Sequence, residues 1–83
     1  MIEYNIIKAL LKKECYDKYR SLVSFDQREL GQILSALDSY WLKYDNEPTI
    51  DDLELHFRSS YPQITDKKYV LYSAIFSNVK EVS

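Results

Sequence analysis

Residues 25–44 contain the pattern that most constrains what this chain can fold into. The spacing of the apolar residues in this stretch fits one face of an α-helix and does not fit the alternation of a strand. The stretch also holds the only tryptophan, Trp41, next to Tyr40, so its apolar surface is large and other segments must cover it. The sequence therefore predicts a long central helix whose apolar residues are Leu30, Ile33, Leu34, Leu37, Trp41 and Tyr44.

Turn-forming residues are too few for a β fold with many strands. The chain has 1 glycine and 2 prolines among its 83 residues, whereas a sheet of short strands needs such residues at each turn. A chain of this length forms one domain with a small core. We predict an all-α, compact single-domain bundle of about five helices around the central one, spanning residues 1–83 with a frayed tail at 80–83.

Two short helices are predicted before the central helix. Apolar residues at helical spacing indicate a first helix at residues 2–13 and a second at 14–23, with a tight connection around residues 14–15. Ser24 and Asp26 each have Gln or Glu three residues later, which is the capping-box pattern. One of these two residues is expected to cap the central helix.

Gly31 lies inside the predicted central helix. A glycine there costs about 1 kcal/mol relative to alanine. This cost favours an irregular first turn or the close approach of another backbone, but a glycine that the helix simply tolerates is an equally good explanation.

Two more helices are predicted after the turn-forming residues that end the central one. Thr49, with an aspartate three residues later, indicates a cap for a helix at about 50–59. Its apolar residues include Leu55. Thr65 or Asp66 is expected to cap a last helix that ends near Val79.

Charge and residue types exclude several functions. The formal net charge is −2, from 13 acidic and 11 basic residues, so direct binding to nucleic acid is not expected. Cys15 and His56 are the only cysteine and the only histidine, too few for a closed zinc site. No catalytic triad or glycine-rich phosphate loop is visible. We therefore expect a protein that is not an enzyme, has no cofactor or metal and, lacking an apolar run long enough to span a membrane, is cytoplasmic.

Acidic residues gather after the central helix. They are compatible with two interpretations: a solvated loop with acids that favour a helix N-terminus, or an acidic docking surface for a basic partner. The five residues are Asp45, Glu47, Asp51, Asp52 and Glu54.

The 8 tyrosines are unusually many for a chain of this size. Most fall on or beside apolar stripes, where the ring is expected at the edge of the core and the hydroxyl in water. Protein interfaces also favour tyrosine. We therefore predict a partner-binding surface near the end of the central helix. Its candidate residues are Tyr40, Tyr44, Glu47, Asp51, Asp52 and Tyr61.

The order of these signals resembles the N-terminal domain of DnaB-type replicative helicases, especially their phage relatives. The matching segments are IIKALL at 6–11, YDKYRSLV at 16–23, WLKY at 41–44 and EPTIDDL at 47–53. Together they cover most of the chain but include no diagnostic motif. The resemblance implies a non-catalytic domain that forms the collar of a hexamer and contacts primase, a helicase loader or other helicase subunits in DNA replication.

Two features depart from that family. The ATPase domain has no counterpart in these 83 residues, and the C-terminal helical hairpin through which such domains pair is not apparent, so self-association stays open. The alternative function predicted from the sequence is a small acidic regulator or inhibitor of phage type that binds a host protein.

Overall fold

The long central helix runs through the middle of the structure, a computed structural model that describes residues 2–82. Within that range the chain forms five α-helices and one short 3₁₀ helix, with no strand, which confirms the predicted all-α fold. The helices are α1 (Ile2–Ala9), α2 (Lys13–Tyr19), α3 (Arg28–Lys43), α4 (Ile50–Ser60) and α5 (Asp66–Glu81), and the 3₁₀ helix (Arg20–Leu22) follows α2. No helix in the described range is long and apolar enough to cross a membrane.

The central helix α3 supplies the largest share of the core. Its buried residues are Leu30, Ile33, Leu34, Ala36, Leu37 and Tyr40. Helices α4 and α5 both pack against it, and α1 packs against α5. The core therefore lies between α3 and the helices around it, as the apolar pattern of residues 25–44 predicts.

The start of α3 differs from the prediction. The helix begins at Arg28, its N-cap is Gln27, and no side chain bonds the free amides there, so the predicted caps Ser24 and Asp26 are both wrong. Phe25, in the segment before the helix, is partly buried and packs against the core.

Gly31 is a tolerated glycine. Its amide donates to the Gln27 carbonyl at 3.0 Å, as in a regular helix. A Cβ atom built on it would meet no heavy atom within 4 Å. Neither an irregular turn nor a close backbone approach explains this residue.

The first helix is shorter than the predicted 2–13. It ends at Ala9, and the connection to α2 lies at residues 10–12, not around Glu14 and Cys15, which are both inside α2. Leu10 and Leu11 are buried in this turn. Both leucines therefore belong to the core although neither lies in a helix.

Helices α4 and α5 begin as predicted. Thr49 and Asp52 form a reciprocal capping box at α4, and the Thr65 side chain accepts a hydrogen bond from the Lys68 amide at α5. The predicted fraying at 80–83 is wrong for Lys80 and Glu81, which are helical. Lys80 Nζ lies 2.8 Å from a carboxylate oxygen of Asp51, and Ser83 lies outside the described residues.

Candidate functional site

A groove lies between the C-terminal half of α3 and the outer face of α4. Its volume is about 620 Å³. Most of the lining side chains are polar, and Tyr40, Tyr44 and Leu55 supply its apolar part. The lining residues are Ser39, Tyr40, Lys43, Tyr44, Asn46, Asp52, Leu55, His56, Ser59 and Ser60.

Tyr40 forms the floor of the groove. It is only 5% exposed, so the prediction that it lies on the surface is wrong. Its ring centroid lies 4.7 Å from that of Tyr44 and 5.8 Å from that of His56. The Asn46 side-chain amide donates to its hydroxyl at 3.1 Å. Tyr40 therefore supports the groove and belongs to the core.

Exposed apolar side chains lie along the groove and beside it. Tyr44 and Leu55 line it, and Leu55 is 68% exposed. Leu42, on the last turn of α3, is 91% exposed. Single exposed apolar residues are ordinary on protein surfaces. Tyr44 and Leu55 lie together in the groove, whereas Leu42 is not among its lining residues.

Trp41 lies at the edge of the core and Tyr40 lies inside it, which is the reverse of the prediction. The sequence pattern assigns it to the core, but it is only partly buried. Its ring lies against Tyr16, with centroids 5.6 Å apart, and its Nε1–H donates to the Leu10 carbonyl at 3.4 Å. Trp41 thus holds the turn between α1 and α2 against α3.

His56 is half-buried on the groove wall. Its Nε2 lies 3.1 Å from the Ser39 hydroxyl. Burial, and then the nearby charge of Lys43, lowers the pKa of His56 below its usual value, so the ring is neutral at pH 7. Among the described residues no carboxylate hydrogen-bonds to this ring, and no group of three or more potential ligands could hold a metal ion. The His56–Ser39 pair therefore lacks the carboxylate that orients the histidine in a catalytic triad.

The acidic residues after α3 are mostly engaged within the chain. Glu47 accepts a hydrogen bond from the Lys13 amide at 2.9 Å and caps α2 from a distance. Asp51 pairs with Lys80, and Asp52 accepts from the Thr49 amide at 2.9 Å. Glu54 accepts from the Tyr69 hydroxyl at 2.6 Å. Three of these contacts hold Glu47, Asp51 and Glu54 against other helices, and the Asp52 contact caps α4 itself. Binding by Glu47, Asp51 or Asp52 stays a prediction.

A polar cluster on the other side of α3 joins α2 to it. The Arg20 guanidinium contacts both oxygens of Asp38 at 2.6 Å, and the Tyr16 hydroxyl donates to the same carboxylate. Burial and the hydrogen bond to Asp38 raise the pKa of Tyr16 to about 12. Partial burial disfavours ionised Asp38, but hydrogen bonds from Arg20 and Tyr16 outweigh it and lower the pKa of Asp38. The cluster has a complete set of internal partners, so we assign it a structural role.

The groove brings together only part of the predicted site. Tyr40, Tyr44 and Asp52 line it, whereas Glu47 and Asp51 lie elsewhere on the surface. Tyr61 packs on Phe57, with ring centroids 4.9 Å apart, and lines a separate small cavity.

Sequence reasoning missed most of the groove wall. The missed residues share a periodic signal, since polar or exposed side chains recur three or four residues apart on α3 and α4. That signal marks a helix face but does not say which other helix lies opposite. The residues are Ser39, Lys43, Asn46, Leu55, His56, Ser59 and Ser60.

Comparison with protein-family models, curated proteins and solved structures yields no match for this chain. The resemblance to the N-terminal domain of replicative helicases therefore stays a prediction from the residue pattern.

Proposed function

We propose that this chain is a non-catalytic helical protein-interaction module that acts in DNA replication, binding a primase, a helicase loader or a helicase subunit through the α3–α4 groove. The observation that carries the binding role is the groove itself, with Tyr44 and Leu55 exposed along it. Grooves between helices commonly receive an apolar side chain from a partner segment. The replication role rests on the residue pattern shared with DnaB-type helicases.

The experiment is a binding titration with purified primase, loader and helicase from the matching replication system. Leu55→Asp places a charge in the groove and is expected to weaken binding by at least about tenfold, because a buried unpaired charge at an interface is costly. Leu71→Asp is the matched control, since Leu71 is also an exposed leucine on a helix, at 56%, but lies on α5 outside the groove.

Three outcomes are informative. Binding that Leu55→Asp loses and Leu71→Asp keeps would support the proposal. Equal binding by both variants would exclude the groove. Absence of binding to all three replication proteins, together with groove-dependent binding to a purified host nuclease or polymerase, would favour the inhibitor function instead.

A further inference from the structure

The charges that remain available in the groove are different from those that the sequence suggests. The sequence of residues 45–54 suggests an acidic surface, but four of their five carboxylates have partners inside the chain. Asp52 is the one acidic residue that lines the groove. Its charge lies at the N-terminus of α4, where the helix dipole partly offsets it.

Lys43 is the unpaired charge of the groove. No carboxylate among residues 2–82 lies within ion-pair distance of its ammonium group. The ammonium lies over the Tyr44 ring, 5.5 Å from its centroid. The Ser59 and Ser60 hydroxyls lie along the same groove and can donate hydrogen bonds, whereas Ser39 is paired with His56 and the Asn46 amide already donates to Tyr40. A cation and neutral donors beside exposed apolar surface are complementary to a carboxylate next to an apolar side chain.

We infer that the partner segment that binds this groove is acidic, with a carboxylate that pairs with Lys43 and a neighbouring apolar side chain that lies on Tyr44 and Leu55. This inference rests on the proposed function, because it assumes that the groove binds a protein. It differs from the basic partner that one of the two interpretations of the acidic residues implies.

The experiment selects peptides from a displayed random library on the intact protein, after removing those that also bind the Leu55→Asn variant, which is polar but adds no charge that would itself select acidic peptides. The recovered peptides are expected to be enriched in Asp and Glu beside Leu or an aromatic residue. Synthetic copies are then titrated against the wild-type protein and against Lys43→Glu. Charge reversal is expected to weaken binding at least about tenfold, or 1.4 kcal/mol.

The chain offers a closely matched control for the lysine. Lys18 occupies the last turn of α2 and lies 5.5 Å from the ring centroid of the following Tyr19, which is the arrangement of Lys43 and Tyr44 on α3. Lys18→Glu changes the net charge by the same amount outside the groove, so it should leave peptide affinity within about twofold, since distant surface charges are screened by salt.

The outcomes separate this inference from the function on which it rests. If no peptide depends on Leu55, both are overturned. If the recovered peptides depend on Leu55 but are basic or neutral, the groove binds protein and the acidic partner is wrong. If Lys43→Glu and Lys18→Glu weaken binding equally, the attraction comes from net charge and not from the groove.

Discussion

Replacing Tyr40 with alanine should lower the unfolding free energy much more than replacing Tyr44 with alanine. Tyr40 is 5% exposed, so truncation removes nearly all of an aromatic side chain from the core, at a typical cost of about 3–5 kcal/mol. Because Tyr40 borders a groove that water can enter, we expect a value near 3 kcal/mol, the lower end of that range. Tyr44 is partly exposed, and its truncation should cost about 1 kcal/mol.

The magnitude matters because the whole protein is small. An unfolding free energy of about 4–12 kcal/mol is typical of 83 residues, so Tyr40→Ala removes a large part of it. Tyr40→Phe keeps the ring and loses only the contact with Asn46, at a cost of about 0.5–1 kcal/mol. This variant should fold and show whether the hydroxyl contributes.

Urea denaturation followed by far-ultraviolet circular dichroism measures these differences. The rings of Tyr40 and Tyr44 are in contact, with centroids 4.7 Å apart, so the double variant should deviate from additivity by about 0.5–1.5 kcal/mol. A loss below about 1 kcal/mol for Tyr40→Ala, accompanied by lost partner binding, would show that the floor of the groove is a contact surface and refute its assignment to the core.

Four further predictions concern stability. Gly31→Ala should raise the unfolding free energy by about 1 kcal/mol, seen as a higher urea midpoint, because the added methyl meets nothing within 4 Å; a lower midpoint would contradict the open surroundings. Thr49→Ala should cost about 1 kcal/mol and lower the melting temperature by removing the capping box of α4. The pKa of Asp38 is lowered in the folded state, so ionised Asp38 contributes to the unfolding free energy. That contribution is present above an unfolded pKa of about 4 and is lost as the pH falls below it. Acid denaturation of Asp38→Asn should lack this part of the loss of stability. The pKa of Tyr16 is raised to about 12 in the folded state, so its protonated hydroxyl contributes stability that is lost as the pH rises from about 10. In the same assay, Tyr16→Phe should therefore lose less stability at alkaline pH.

Local signals in the sequence determined the helical class and several helix ends. The caps at Thr49 and Thr65 were predictable because a capping bond joins residues only three positions apart. The apolar spacing of residues 25–44 likewise identified α3, since the repeat is a property of the helix alone.

The tertiary structure decided where α1 ends and what the acidic residues do. Glu47 caps α2 by accepting a hydrogen bond from the Lys13 amide, 34 positions away. No local sequence pattern indicates a contact between residues so far apart. The sequence of the acidic cluster suggests a free surface because partners such as Lys80 and Tyr69 lie 29 and 15 positions from the carboxylates they contact.

Tyr40 and Trp41 show the limit of the sequence pattern most directly. Adjacent residues on a helix point about 100° apart, so both lie near the edge of a broad apolar stripe and either could face the core. The packing of α4 on one side and α2 on the other fixes the rotation of α3, which buries Tyr40 and leaves Trp41 at the edge. The sequence determined that this helix gathers the core, and only the neighbouring helices determined which aromatic ring became the floor of the groove.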